Sequence, residues 1–288
     1  MERVLGVPAV AAGRRVMGRY SAAGGSLLAD GLAYGALFAA VPATVLAVAV
    51  AGLVIADPAQ RASTVAAIGL VLPPLRELVD AVLSDASRDA GALGVIGLAT
   101  LAYGASRFVL AFSDALSRVM GRTGRRGLVA RNALAIGAVV LLVAAVVAAP
   151  TLAGAASFLD VAEASGALAF VGGAVHLALG IIPPVATIVA IGLVYRLVPV
   201  PPPRWRALAP PALVVGLALT ILVQAFVFLA PRLIGAAALL GTIAAIFAAL
   251  AWLGLSFQAL LIGAAWAADR DEDEGEATAA GPTAVPPA

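Results

Sequence analysis

The 288-residue chain has no cysteine and no lysine, a single histidine (His176), and only 12% charged residues. Without cysteine it can form neither disulfides nor thiolate metal sites. One histidine and acids scattered over separate loops offer none of the converging ligands that a metal-dependent phosphodiesterase needs, so intrinsic ribonuclease activity is rejected. The scarcity of charge excludes an ordinary soluble domain, in which about a quarter of residues are charged. Hydrophobic residues make up 62% of the chain, and its mean hydropathy is +1.06.

A helix rising about 1.5 Å per residue needs roughly 20 apolar residues to cross about 30 Å of hydrocarbon. Six stretches meet that length: Leu32 to Ile55, Gly91 to Phe112, a run from Ala133 past Pro150, Ala167 to Val194, Leu208 to Leu229, and Leu239 to Ala265. Leu233 to Ala238 is left as a short connecting piece. The runs lack the alternation of a membrane barrel. The predicted fold is therefore an all-α integral membrane protein with six transmembrane helices, in which Gly and Ala, including Gly172-Gly173, allow close helix approach. A base composition that favours Ala, Gly and Arg codons would enrich the same residues, and this reading stays open beside the packing one.

Arginines flanking the runs fall on alternate sides, and basic residues near helix ends stay cytoplasmic. Arg3, Arg14, Arg15 and Arg19 precede the first run, Arg118, Arg122, Arg125, Arg126 and Arg131 follow the second, and Arg196, Arg204 and Arg206 follow the fourth; Arg270 lies in the tail. Only Arg61, Arg76, Arg88 and Arg232 fall on the other side. Both termini are thus expected in the cytoplasm, and the N-terminal segment does not read as a cleavable signal peptide.

Three regions result. Residues 1–26 form a basic cytoplasmic segment, 27–268 the transmembrane domain, and 269–288 an acidic cytoplasmic tail whose composition predicts disorder. Between the first two helices, Ala56 to Asp89 is external. After Pro73-Pro74, Leu75, Leu78, Val79, Val82 and Leu83 recur at helical spacing, which predicts an external amphipathic helix that either lies on the outer leaflet or caps the bundle, its acidic polar face favouring the cap.

Charges inside a membrane have partners or line water-filled cavities. Tyr103, Ser106, Arg107, Ser113, Asp114, Ser117 and Arg118 recur every three to four residues along the second helix, a stripe expected to face the bundle. Asp114 and Arg118 have ion-pair spacing, and Arg107 is placed to pair with Asp30 near the start of the first helix. Arg107, Asp30, Asp114, Tyr34, Tyr103 and Ser106 are the candidate cavity or substrate-binding residues. Arg107 either lines an anion or headgroup cavity or is a structural or snorkelling arginine. His176 is a candidate polar intramembrane group, suited to a hydrogen bond between helices. Pro42 and Pro183-Pro184 favour kinks. The likeness of Val41-Pro42-Ala43-Thr44-Val45 to Pro184-Val185-Ala186-Thr187-Ile188 would suit a three-plus-three inverted repeat.

Three motifs resemble the YihY/BrkB family: Leu32-Ala33-Tyr34 followed by Pro42; Tyr103-Gly104-Ala105-Ser106-Arg107 followed by Arg118-Val119-Met120-Gly121; and Val194-Tyr195-Arg196-Leu197-Val198-Pro199. With a closing helix around Trp252 and Gly263, the resemblance spans Gly24 to Ala268. It implies a six-helix bacterial inner-membrane protein. Its members have carried the labels ribonuclease BN and serum-resistance virulence factor, and transport of envelope lipids has been suggested for relatives. Where the family often has Gly-Ala-Glu, this chain reads Gly263-Ala264-Ala265; it lacks that acid or substitutes another.

The expected function is a non-enzymatic transporter or lipid-translocating protein for an anionic or lipid-like substrate; the alternative is a membrane scaffold or envelope-assembly factor. Membrane lipids are the expected partners. No cofactor, metal or nucleic acid is expected, and the oligomeric state is open.

Overall fold

In an apolar surround every backbone polar group must be satisfied within the protein, which favours helices for an open chain. The computed structural model describes residues 8–54, 103–104, 107–124, 169–236 and 241–279, and among them every regular element is a helix. We label these α1 (Pro8–Ala22), α2 (Gly25–Val54), α3 (107–119), α4 (Ala169–Leu197), α5 (Trp205–Ala236) and α6 (Gly241–Ala279). Among the described residues, two segments are long and apolar enough to cross a membrane, Trp205–Phe226 and Ile246–Glu276. The pair Val10–Ala22 and Gly25–Ala39, bent by 61°, adds a third if it counts as one span.

α6 is the centre of the assembly, packing against α5, α2 and α1, while α4 packs on α5. Phe257, Leu261, Ala264, Ala265 and Ala268 repeat at helical spacing and are buried, so one face of α6 meets its neighbours along several turns. Small residues set the spacing, as expected where lipid supplies no hydrophobic drive between helices. Gly216 of α5 lies against the backbone and side chain of Ile188 on α4, and Gly254 of α6 faces Asp30 of α2.

The sequence boundaries shift in three places. α2 begins at Gly25, ahead of Leu32, because a turn at Gly24, with φ +71°, separates it from a distinct helix α1. α5 continues to Ala236 and so absorbs most of the piece set aside as a connection. The predicted disordered tail from Asp269 is instead helical as far as Ala279. Composition predicts a solvated coil, but Asp269, Asp271, Glu272 and Asp273 are bound by arginines from elsewhere in the chain.

Pro42 and Pro183-Pro184 lie within continuous helices α2 and α4. The third apolar run, the external segment with its expected amphipathic helix, and Ser106 lie outside the described residues, as do the surroundings of Gly172 and Gly173 and the side chain of His176.

Candidate functional site

α3 presents two faces. Ala115, Leu116, Val119 and Met120 are buried in the core. Phe108 and Phe112 stack at 6.2 Å and both meet Phe257 of α6, at 5.9 and 6.2 Å. Arg107, Asp114 and Arg118 lie on the opposite, exposed face, in line with exposed Tyr103. Among the described residues these four side chains are exposed, where spacing alone predicts a stripe facing the bundle. The aromatic and small apolar side chains pack best against α6 and take the inner face, leaving the charged ones on the flank.

Asp30 and Tyr34 lie on α2 and are also exposed, with Tyr34 packed on Phe38 at 4.7 Å. Asp30 faces Gly254, and Phe108, the neighbour of Arg107, packs between Gly35 and Phe257. Asp30 and Phe108 thus face the same stretch of α6. Gly254 precedes Asp269 by fifteen residues, about 22 Å along the helix. Asp30 consequently sits far from the charged end of α6, deeper than a position near a helix start suggests. Among the described residues no ion pair joins Arg107 to Asp30 or Asp114 to Arg118.

Paired charges gather at the other end of α6. Arg15 of α1 forks onto Asp269, Nε to Oδ1 at 3.0 Å and Nη2 to Oδ2 at 3.1 Å, and also reaches Asp273 at 3.2 Å. Arg19, one turn on, pairs with Glu272. The hydrogen bond and charge of Asp269 raise the Arg15 pKa above the ordinary arginine range. A group so shifted stabilises the fold below its unfolded pKa and loses that contribution only above it, so the pair survives any physiological alkaline pH.

Asp271 ties in two further segments. α3 ends in a Schellman motif: Gly121 adopts φ +65°, its N–H donates to the Arg118 carbonyl and that of Arg122 to the Ser117 carbonyl. This closure aims Arg122 at Asp271, 2.5 Å away. The second Asp271 oxygen accepts the Arg204 backbone N–H at 2.7 Å, at the start of α5. The first turn of α5 has no acid of its own, and α6 supplies the negative charge that favours a helix N-terminus. The Gly124 N–H donates to the Val200 carbonyl, joining the loops after α3 and α4. Sequence reasoning missed this ionic end; the alternating runs of arginine and acid were its only signal.

The family-like motifs meet nearby. Tyr195 is fully buried and donates its hydroxyl to the Leu260 carbonyl at 2.6 Å. It packs over Gly263, where a Cβ would overlap both Tyr195 and Val215. Arg196 donates to the Pro203 carbonyl and lies 5.7 Å from the Trp205 ring centre. Ala265 is fully buried, and the next acid on that face of α6 is Asp269, one turn along.

No curated protein and no solved structure matches the chain. A family model described as Virulence factor BrkB matches residues 16–286, from the second half of α1 through the polar flank to the acidic turns of α6. With nearly the whole chain matched, from Val16 in the first helix to beyond the acidic turns of α6, this is a membrane protein of the BrkB family.

Proposed function

We propose that the chain is a six-span protein of the bacterial inner membrane, with both termini cytoplasmic, that moves an anionic or lipid-like substrate without covalent chemistry. One observation carries the reading: Tyr103, Arg107, Asp114 and Arg118 form a ladder exposed on the flank of an apolar bundle. Charge facing hydrocarbon is costly. A lipid arriving sideways relieves that cost, because its headgroup can follow the ladder while its tails stay in the bilayer. Arg107 would grip a phosphate or carboxylate through its planar fork, and Asp30 would balance local charge when the flank is empty.

The ionic end supports the span count through parity. The start of α2, the end of α3, the end of α4, the start of α5 and the end of α6 lie on this side, tied through α1, Arg122, Val200, Arg204 and Asp271. Chain leaving Gly124 has to reach the far side before α4 brings it back, a crossing that the third apolar run supplies. The arginine distribution then assigns this side to the cytoplasm.

The scaffold alternative has less support in its tail-docking form, since the acids that would engage a partner are held by the chain's own arginines. Reconstitution into liposomes with labelled anionic lipid tests the transport reading. Wild type should accelerate lipid flip, and Arg107→Ala should slow it by about tenfold or more, the loss of one charge-assisted contact. Folded wild-type protein that moves neither envelope lipid nor anion would sink the proposal.

A further inference from the structure

We propose that the arginines at the ionic end form a binding site for the phosphate of anionic phospholipid headgroups in the adjoining leaflet, and that the acidic turns of α6 hold this site closed by occupying it.

The arginines already bind oxyanions in the geometry a phosphate would use. Arg15 makes a two-pronged contact with Asp269, and a guanidinium fork suits carboxylate and phosphate alike. Arg15 and Arg19 stand one turn apart on α1, so both can reach one headgroup.

The closure is graded from inside to outside. Asp269 and Asp271 are shielded, with side chains 10% and 13% exposed, whereas Glu272 and Asp273 are 57% and 62% exposed. Exposed pairs contribute little and are screened by salt. The outer carboxylates can therefore exchange for an external anion and loosen α1, while Asp271 keeps the end of α3 and the start of α5 on α6.

Charge and depth both favour a lipid headgroup as that anion. Arg14, Arg118 and Arg206 are exposed and make no ion pair among the described residues, so positive charge is left over around the closed site. Trp205 lies exposed beside it, stacked near Arg196, and tryptophan at a helix end marks the headgroup level of a bilayer. Basic side chains at that level attract anionic lipid.

The test uses the full-length protein in nanodiscs of phosphatidylcholine containing phosphatidylglycerol, with retained lipid counted by mass spectrometry after mild detergent washing. Glu272→Gln with Asp273→Asn should raise retained phosphatidylglycerol about fivefold over wild type, and adding Arg15→Gln and Arg19→Gln should abolish the gain. Unchanged retention in the first variant, or a gain that survives loss of both arginines, overturns the proposal. So does competition by inorganic phosphate as effective as that by phosphatidylglycerol, which would make the site one for free anions.

A second readout does not depend on the charge variants folding. The cysteine-free chain accepts spin labels at Gly18→Cys, where the surroundings are open, and at Glu276→Cys. The α1 to α6 distance should lengthen in phosphatidylglycerol relative to phosphatidylcholine alone, and identical distributions would refute the opening. Neither measurement depends on lipid flip, so the transport reading can fail while this one stands.

Discussion

At Gly263 one absent methyl group sets how closely α6 can approach Tyr195 and α5. Gly263→Ala places a Cβ into Val215 and the Tyr195 hydroxyl, an overpacking that should cost about 1–3 kcal/mol. Tyr195→Phe removes the bond to the Leu260 carbonyl and should cost about 1 kcal/mol. Combined, they should cost less than their sum, because the phenylalanine removes one of the two overlaps. Thermal inactivation in detergent checks this, and strict additivity would show that the two residues do not share the contact. The motifs around Tyr195 and Gly263 were legible as family signs. Their packing was not, since a glycine in an alanine-rich helix gives no hint of which neighbour it admits. Ala265 is similar: the missing acid was visible, but the paired acid one turn later needed the fold.

Among the elements, α3 and α6 show why some features are settled only in three dimensions. Helical spacing groups Tyr103, Arg107, Asp114 and Arg118 on one face, and all four are exposed among the described residues. It could not say which way that face points, because in a membrane both lipid and protein interior are apolar. The acidic run of α6 read as a solvated coil because its partners, Arg15 and Arg122, lie 254 and 149 residues away from their aspartates. Ending the chain after Ala268 should therefore lower stability measurably, and the loss should shrink as salt rises from about 0.05 M to about 0.5 M, where charges more than a few ångströms apart are screened. Fluorescence-detected unfolding of both forms at each salt concentration gives the comparison. Equal stability of the two at low salt would show that the ionic end does not hold the fold together.

For the whole molecule the ionic end is a constraint on threading. α1, the loop after α3, the loop before α5 and the end of α6 are tied together by ion pairs and hydrogen bonds, so they must share one side of the membrane whichever side that is. The apolar runs made an all-helical membrane protein legible from sequence, while the proposed count of six rests on composition; the shared end adds an independent parity condition. Single cysteines in this cysteine-free background test both parts. Gly13→Cys, Thr123→Cys and Glu276→Cys should resist a membrane-impermeant maleimide on intact cells and react after permeabilisation, whereas Ser87→Cys should react at once. If the first three all react from outside, the orientation reverses while the threading stands. If they divide between the two sides, the ionic end cannot exist in the membrane, and with it would go the six-span reading and the headgroup site.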